Sequence, residues 1–216
     1  EDQGVISNGY TQVYLNTFVN IQRLDGQSSN DNFVINGKVD HISAGAGNDE
    51  FDFSQSLSGH VNIIDGGAGI NTLKGKAAVN LWKLISSSAG DVSVSGRAYV
   101  SNFTNINNIV GNNTFVNTLN ASTNNNNWMI TGLNKGTLDI GHSEVLLSFD
   151  GITDLEGGSA VDDFTVKSGG FITGSIDGGS SNPLNAIEDR LIFSAEVQQA
   201  SVALEKISSN LLYIKN

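Results

Sequence analysis

The stretch FVNIQRLDGQSSNDNF, Phe18 to Phe33, is written a second time as FDGITDLEGGSAVDDF, Phe149 to Phe164. Phe18, Ile21, Leu24, Gly26, Ser28, Asp31 and Phe33 return as Phe149, Ile152, Leu155, Gly157, Ser159, Asp162 and Phe164, at an offset of 149 minus 18, or 131. Apolar residues recurring at one spacing around a Gly and an Asp predict a chain of stacked repeats, each contacting only its neighbours. A third, worn copy, FTNINNIVGNNTF, keeps Phe103, Ile106, Ile109, Gly111 and Phe115 and drops three residues between the glycine and the last phenylalanine. Turns tolerate such shortening because they lie outside a shared core.

The segments downstream of the first and last copies also echo one another. NIIDGGAGINTL (Asn62 to Leu73) and VNLWKLIS (Val79 to Ser86) answer to SIDGGSSNPLNAIEDRLIF (Ser175 to Phe193) and VALEKIS (Val202 to Ser208). The first copy carries an extra HISAGAGNDEFDF (His41 to Phe53), and the last an insertion between Gly179 and Asp189.

Short apolar runs closed by Gly, Asn, Asp or Ser predict strands with tight turns. They are Val13–Leu15, Phe33–Ile35, Val61–Ile64, Val92–Val94, Trp128–Ile130, Val145–Leu147, Phe164–Val166, Phe171–Thr173 and Leu191–Phe193. The strongest helix signals are Leu81–Ser87 and Glu196–Lys206, the second equally readable as a strand, and loops are predicted at Asn124–Asn127 and Ser86–Asp91. Turn residues fall about twenty apart: Asp49 to Asn71 is 22 and Gly157 to Gly178 is 21. Antiparallel hairpins would show a shorter period. The expectation is therefore an all-β chain, a right-handed parallel β-helix with coils of roughly 20–22 residues, forming a single segment over 1–216.

Composition narrows the function. A formal charge of −11, with three arginines (Arg23, Arg97, Arg190) and eight scattered lysines, repels phosphate backbones, so nucleic acid is not an expected partner. The absence of cysteine excludes a disulfide framework and thiolate metal sites. No run of eighteen apolar residues predicts a membrane-spanning helix. The chain opens on Glu1-Asp2-Gln3 without a signal peptide and stops within repeat-like sequence, which reads as two cut ends.

Three stretches approach the glycine-rich nonapeptide that wraps calcium: Ala44–Phe51, Gly66–Leu73 with Asn71 in place of Asp, and Gly157–Phe164 with Ala160 in place of Gly. Asp31, Asp40 and Asp49 are evenly spaced, and if alternate turns share a side, Asp31 and Asp49 face one hard cation with backbone carbonyls. The plainer reading is favoured: glycines serve positive-φ turns, and Asp or Asn caps its own backbone. No metal, cofactor or catalytic residue is assigned; calcium stays an alternative.

Acids at Asp162-Asp163 and at Asp49, Glu50 and Asp52 leave a carboxylate-pair hydrolase or polysaccharide lyase open, but few basic groups exist to grip an anionic chain. His41, His60 and His142 share no spacing and are read as ordinary surface or turn residues; Trp82 and Trp128 pack the repeat or, if exposed, stack on sugar rings. Sequons at Asn102-Phe103-Thr104, Asn113-Thr114 and Asn120-Ala121-Ser122 are expected by chance in so Asn-rich a chain.

FDGITDLEGGSAVDDFTV, GSIDGG and NWMITGLNKGTLDI together resemble the repeats of very large bacterial exoproteins, the filamentous-haemagglutinin-like and RTX-type adhesins, over roughly residues 13 to 208. The resemblance implies a rigid shaft of a secreted or surface-displayed adhesin, not an enzyme, monomeric within a longer chain. A host-cell or bacterial surface receptor or glycan would be the partner, and no membrane insertion is implied. Asn71 and Ala160 depart from the calcium pattern. The alternatives are a β-helix polysaccharide lyase, hydrolase or carbohydrate-binding module, and a calcium-stabilised RTX module.

Overall fold

The computed structural model describes residues 21–143, 145–179 and 188–195, and the strand backbones at 4–8, 11–13, 203–208 and 211–215. The chain is all-β, with no helix among the described residues. In chain order the first strands are β1 (Gly4–Asn8), β2 (Thr11–Val13), β3 (Arg23–Asp25), β4 (Asp31–Ile35), β5 (Lys38–Ser43), β6 (Glu50–Asp52), β7 (His60–Asp65) and β8 (Thr72–Lys74). Next come β9 (Asn80–Ser86), β10 (Ala89–Val94), β11 (Arg97–Thr104), β12 (Asn108–Val110), β13 (Asn117–Asn120), β14 (Asn126–Gly132), β15 (Lys135–Ile140) and β16 (Leu146–Asp150). The last are β17 (Asp154–Glu156), β18 (Asp162–Val166), β19 (Ile176–Asp177), β20 (Arg190–Phe193), β21 (Ala203–Ser208) and β22 (Leu211–Lys215).

Two mixed sheets carry nearly all of them, in the orders β2-β1-β4-β6-β8-β12-β16-β15-β14-β18-β20 and β19-β17-β13-β9-β10-β11-β7-β5-β3; β21 and β22 pair separately. From β3 to β8 the chain changes sheet at every strand, so neighbours within a sheet are parallel. The step is 18 residues from Phe33 to Phe51 and from Leu24 to Ile42, then 22 from Phe51 to Leu73 and from Ile42 to Ile64. Alternation turns every second side chain inward. Phe33, Phe51, Leu73, Ile109 and Phe149 thus form one buried register column. Trp82 and Leu119 stack against Leu155 in the other sheet. The rings of Phe33 and Phe51 lie 5.2 Å apart and 7° from parallel, those of Trp128 and Phe164 5.3 Å and 15°.

The centre departs from an all-parallel pattern. β9, β10 and β11 form an antiparallel meander in one sheet, and β14, β15 and β16 another in the opposite sheet. The stretches predicted as a helix at Leu81–Ser87 and a loop at Ser86–Asp91 are β9, the two-residue turn Ser87-Ser88 and the start of β10. Leu81, Leu84 and Ile85 mimic helical spacing, but Trp82 and Leu84 point inward while Lys83 and Ile85 stay exposed, a strand alternation. The loop predicted at Asn124–Asn127 likewise enters β14 at Asn126. Phe171–Thr173 is not a strand; Phe171 makes a lone bridge to Leu133.

Both meanders come from one duplicated plan. Asn80, Trp82, Gly90, Phe103 and Gly111 recur as Asn126, Trp128, Gly136, Phe149 and Gly157, each at 126 minus 80, or 46. The two glycines face Phe103 and Phe149, whose Cζ atoms lie 3.0 and 2.6 Å from where a β-carbon would sit. Each meander supplies strands that the opposite sheet's direct crossing omits. Its hairpin turn fills the vacant position in the turn column: Ser88 O accepts Ile106 N at 3.0 Å, and Asn134 O accepts Ile152 N at 3.1 Å. Steps across this region lengthen to 36–40 residues, so the predicted 20–22-residue period fails there.

The worn copy also needs correction. Phe115 is 37% exposed in a turn; the residue that takes the place of Phe164 is Leu119, two positions after Asn117. The copy is not shortened by three residues, and its Phe103 lies on the sheet opposite Phe149 while its Ile109 pairs with Phe149. Phe18, Tyr14, Leu15, the insertion at 180–187 and residues 196–202 fall outside the described residues.

Candidate functional site

The buried polar groups gather at the turns. Asp31, Asp49, Asn71, Asn80, Asn117, Asn126 and Asp162 are each at most 4% exposed and open or immediately precede a strand. Two residues later comes a large inward residue: Phe33, Phe51, Leu73, Trp82, Leu119, Trp128 or Phe164. Five residues before most of them stands a Gly or Ala, as Gly26 stands before Asp31, Ala44 before Asp49 and Gly157 before Asp162. Where that position is glycine, a side chain would collide: a β-carbon on Gly157 would lie 2.4 Å from Asp162 Oδ2.

These side chains bond from row to row. Asp31 N donates to Asp49 Oδ1 at 2.8 Å, Asp49 N to Asn71 Oδ1 at 2.9 Å, and Asn71 N to Asn107 Oδ1 at 2.9 Å. At the other turn column Asn80 Nδ2 donates to Asn117 Oδ1 at 2.8 Å and Asn117 N to Thr153 Oγ1 at 2.9 Å. Farther on, Asn126 Nδ2 reaches Asp162 Oδ1 at 2.5 Å, and Asp162 N reaches Asp189 Oδ1 at 2.9 Å. Each amide also closes its own turn: Asn117 Nδ2 donates to the carbonyls of Asn112 and Phe115 at 2.7 and 2.8 Å. Buried backbone carbonyls that no strand can serve are satisfied this way.

The expectation that Asp31 and Asp49 come together is met. Gln27 and Gly45, at φ 94° and 95°, stack in the turns before them, where a β-carbon on Gly45 would lie 1.9 Å from Gln27 O. Asp40 does not join the pair; it is exposed and accepts from Asn62 Nδ2 at 2.9 Å. No group of three or more His, Asp or Glu side chains is arranged to hold a metal ion among the described residues. Burial raises the carboxyls of Asp31 and Asp49 above the usual range, the neighbouring Asp49 charge adding to the effect at Asp31.

The other candidate acids separate. Asp162 points inward while Asp163 points out to a bidentate ion pair with Arg190. Glu50 lies on the outer face and accepts from Lys74 at 2.6 Å. His41, His60 and His142 lie apart: His60 Nε2 meets Asn62 Oδ1, and His142 Nδ1 meets Asn127 Nδ2. Trp82 and Trp128 are at most 1% exposed, which removes them as sugar-stacking platforms. A shallow, open depression of about 350 Å³ is lined by Thr123, Asn124, Asn125, Gly141, His142 and Ala160, none of them acidic. No helix is long and apolar enough to cross a membrane among the described residues.

That asparagine can ladder through its amide at turns is an expectation from the sequence, but the residues that form the rungs were not identified there. The ladder's signal, Asp or Asn two residues before Phe33, Phe51, Leu73, Trp82, Leu119, Trp128 and Phe164 and, in all but Leu119, five after a Gly or Ala, recurs from Asp31 to Phe164. Compared with protein-family models, curated proteins and solved structures, the chain matches none.

Proposed function

We propose that this chain is a structural repeat segment of a secreted or surface-displayed bacterial adhesin, a right-handed parallel β-helix whose central coils are replaced by two meanders. The observation that supports this most is where the buried polar side chains go: they bond the turns of adjacent rows, as a load-carrying stack requires. Strands that change sheet at every step, and apolar columns shared by successive rows, fit the same reading. It acts as a stiff spacer in cell attachment, holding a receptor- or glycan-binding region away from the surface. The catalytic alternative finds little support in acids that are either inward rungs or outward ion pairs.

The test places the chain between a membrane anchor and a glycan-binding head of known specificity on a bacterial surface. A flexible Gly-Ser linker of equal residue number is the control. More attachment to target cells than with the linker supports the spacer; equal attachment contradicts it. Release of unsaturated products from acidic polysaccharides, followed by ultraviolet absorbance, would establish a lyase instead.

A further inference from the structure

Asp31 and Asp49 are 4% and 1% exposed, and on each the Oδ2 atom is buried without a hydrogen-bond partner. The matching turn around Asn71 shows what that position demands. A β-carbon on Gly66 would lie 2.4 Å from Asn105 O and 2.7 Å from Asn71 Nδ2, and this Nδ2 donates to that carbonyl at 3.0 Å. Around Gly26 the same site holds Ala44 O at 2.4 Å and Asp31 Oδ2 at 2.3 Å. Asp31 Oδ2 therefore takes the place of an amide nitrogen and faces a carbonyl oxygen, acceptor against acceptor. Asp162 shares part of this setting, since a β-carbon on Gly157 would lie 2.4 Å from both Asp162 Oδ2 and Gly178 O and burial raises its carboxyl too; it differs in that its Oδ1 and Oδ2 accept from Asn126 Nδ2 and Gly158 N.

We propose that Asp31 and Asp49 work in the folded chain as neutral carboxylic acids, their Oδ2 protons supplying the donors that asparagine supplies in the other rows. This end of the stack is then a proton-operated clamp that tightens in acid and loosens as the proton is lost. The ionisable groups on the surrounding strands are engaged elsewhere. Arg23 and Asp25 pair with each other, Glu50 pairs with Lys74, and Asp65 accepts from Asn105. Asp52 caps Ser54 N, and Lys38, Asp40, His41 and His60 are exposed or half-exposed. β1, which pairs with β4, contains no ionisable residue. The negative charge that bears on Asp31 is that of Asp49 itself.

The sign comes from linkage. A carboxyl raised in the folded state keeps its proton where the unfolded chain has lost it, so stability falls as pH rises from about 4 through the folded value and then levels off. Asp65 works oppositely: hydrogen bonds led by the one from Asn105 hold it low, and its contribution is lost only below about pH 4. The clamp is therefore read above that point.

The experiment is urea unfolding of the full chain from pH 4.5 to 8, in EDTA and in millimolar calcium. It compares the unchanged protein with Asp31→Asn/Asp49→Asn and Asp162→Asn. The expected midpoint of the unchanged protein falls with rising pH. The double variant matches it near pH 4.5, exceeds it at pH 8 and loses the share of the slope that Asp31 and Asp49 supply, the remainder belonging to Asp91 and Asp162, which burial also raises, while Asp162→Asn gains nothing at pH 8. In isotope-edited infrared spectra a protonated-carboxyl band from aspartate should disappear in the double variant. A midpoint flat in pH, a double variant weaker at every pH, or a calcium-dependent rise that the double variant abolishes would each overturn the proposal, the last in favour of a cation between the two oxygens.

Discussion

Two turns of this molecule ask for the same thing and receive different chemistry. At Asn80 and Asn117 the buried amides give hydrogens to backbone carbonyls, and their oxygens accept from the Tyr99 hydroxyl and from Asn80 Nδ2 respectively, so both ends of each side chain are used. At Asp31 and Asp49 the rows are also joined through an aspartate oxygen, yet one oxygen of each acid has nothing to accept. The fold is set by the shape of the Asp or Asn side chain, while its dependence on pH is set by whether the second atom is nitrogen or oxygen. Asp162 lies between these cases, an acid fed by two donors.

The comparison breaks most sharply if the chemistry is moved. Asn117→Asp places a carboxylate opposite the carbonyls of Asn112 and Phe115. Its expected cost is about 3–4 kcal/mol at pH 8, partly recovered near pH 5 as the acid protonates; urea midpoints at the two pH values check both halves. Gly67→Ala tests the turn geometry instead. With φ at 70° and a β-carbon driven to 1.9 Å from Gly45 O, a loss of about 2–3 kcal/mol is expected, independent of pH. Thermal melts at pH 5 and 8 should shift alike.

Asp162→Asn sharpens the contrast from the other side. An amide there must point hydrogens at Gly158 N or Asn126 Nδ2, so about 1–2 kcal/mol is lost by the substitution that stabilises Asp31 and Asp49 at high pH. The smallest effect belongs to Gln27, which holds φ 94° in the column occupied by Gly45 and Gly67. Gln27→Gly relieves that conformation but adds chain entropy to the unfolded state, leaving a net gain of about 1 kcal/mol or less in chemical denaturation.

Much of this was legible in the chain. The offset of 131 linked Leu24 with Leu155 and Phe33 with Phe164, and the even spacing of Asp31 and Asp49 brought them to one column. The all-β character and most short strands came from apolar runs closed by turn residues. The meanders did not: β9, β10 and β11 pair with their chain neighbours, but their serine-rich link, Ser86 to Ser88, looks like a loop by itself and Leu81, Leu84 and Ile85 mimic helical spacing. The signal was present in the offset of 46, which extends back from Phe103 and Phe149 to Asn80 and Asn126. Phe115 misled for a related reason: an aromatic in the right neighbourhood hid the rule that the inward residue stands two after the buried Asn. The acidic pairs, left open in sequence as a carboxylate site, separate because alternation sends neighbours such as Asp162 and Asp163 to opposite faces.

The row order is the claim on which the rest depends, and a chain without cysteine allows it to be tested by cross-linking. Thr72 and Asn108 are register partners on β8 and β12 although 36 residues separate them, and Asn108 Nδ2 lies 3.2 Å from Thr72 Oγ1 on the outer face. In Thr72→Cys/Asn108→Cys, mild oxidation should give a rapid, near-complete intramolecular disulfide without loss of the native fold, since adjacent strands stand about 4.8 Å apart. In the control Thr72→Cys/Ser93→Cys, whose second cysteine lies in the meander, none should form. A disulfide in the control and none between positions 72 and 108 would contradict the stacking of β8 on β12 and the two-sheet order built on it.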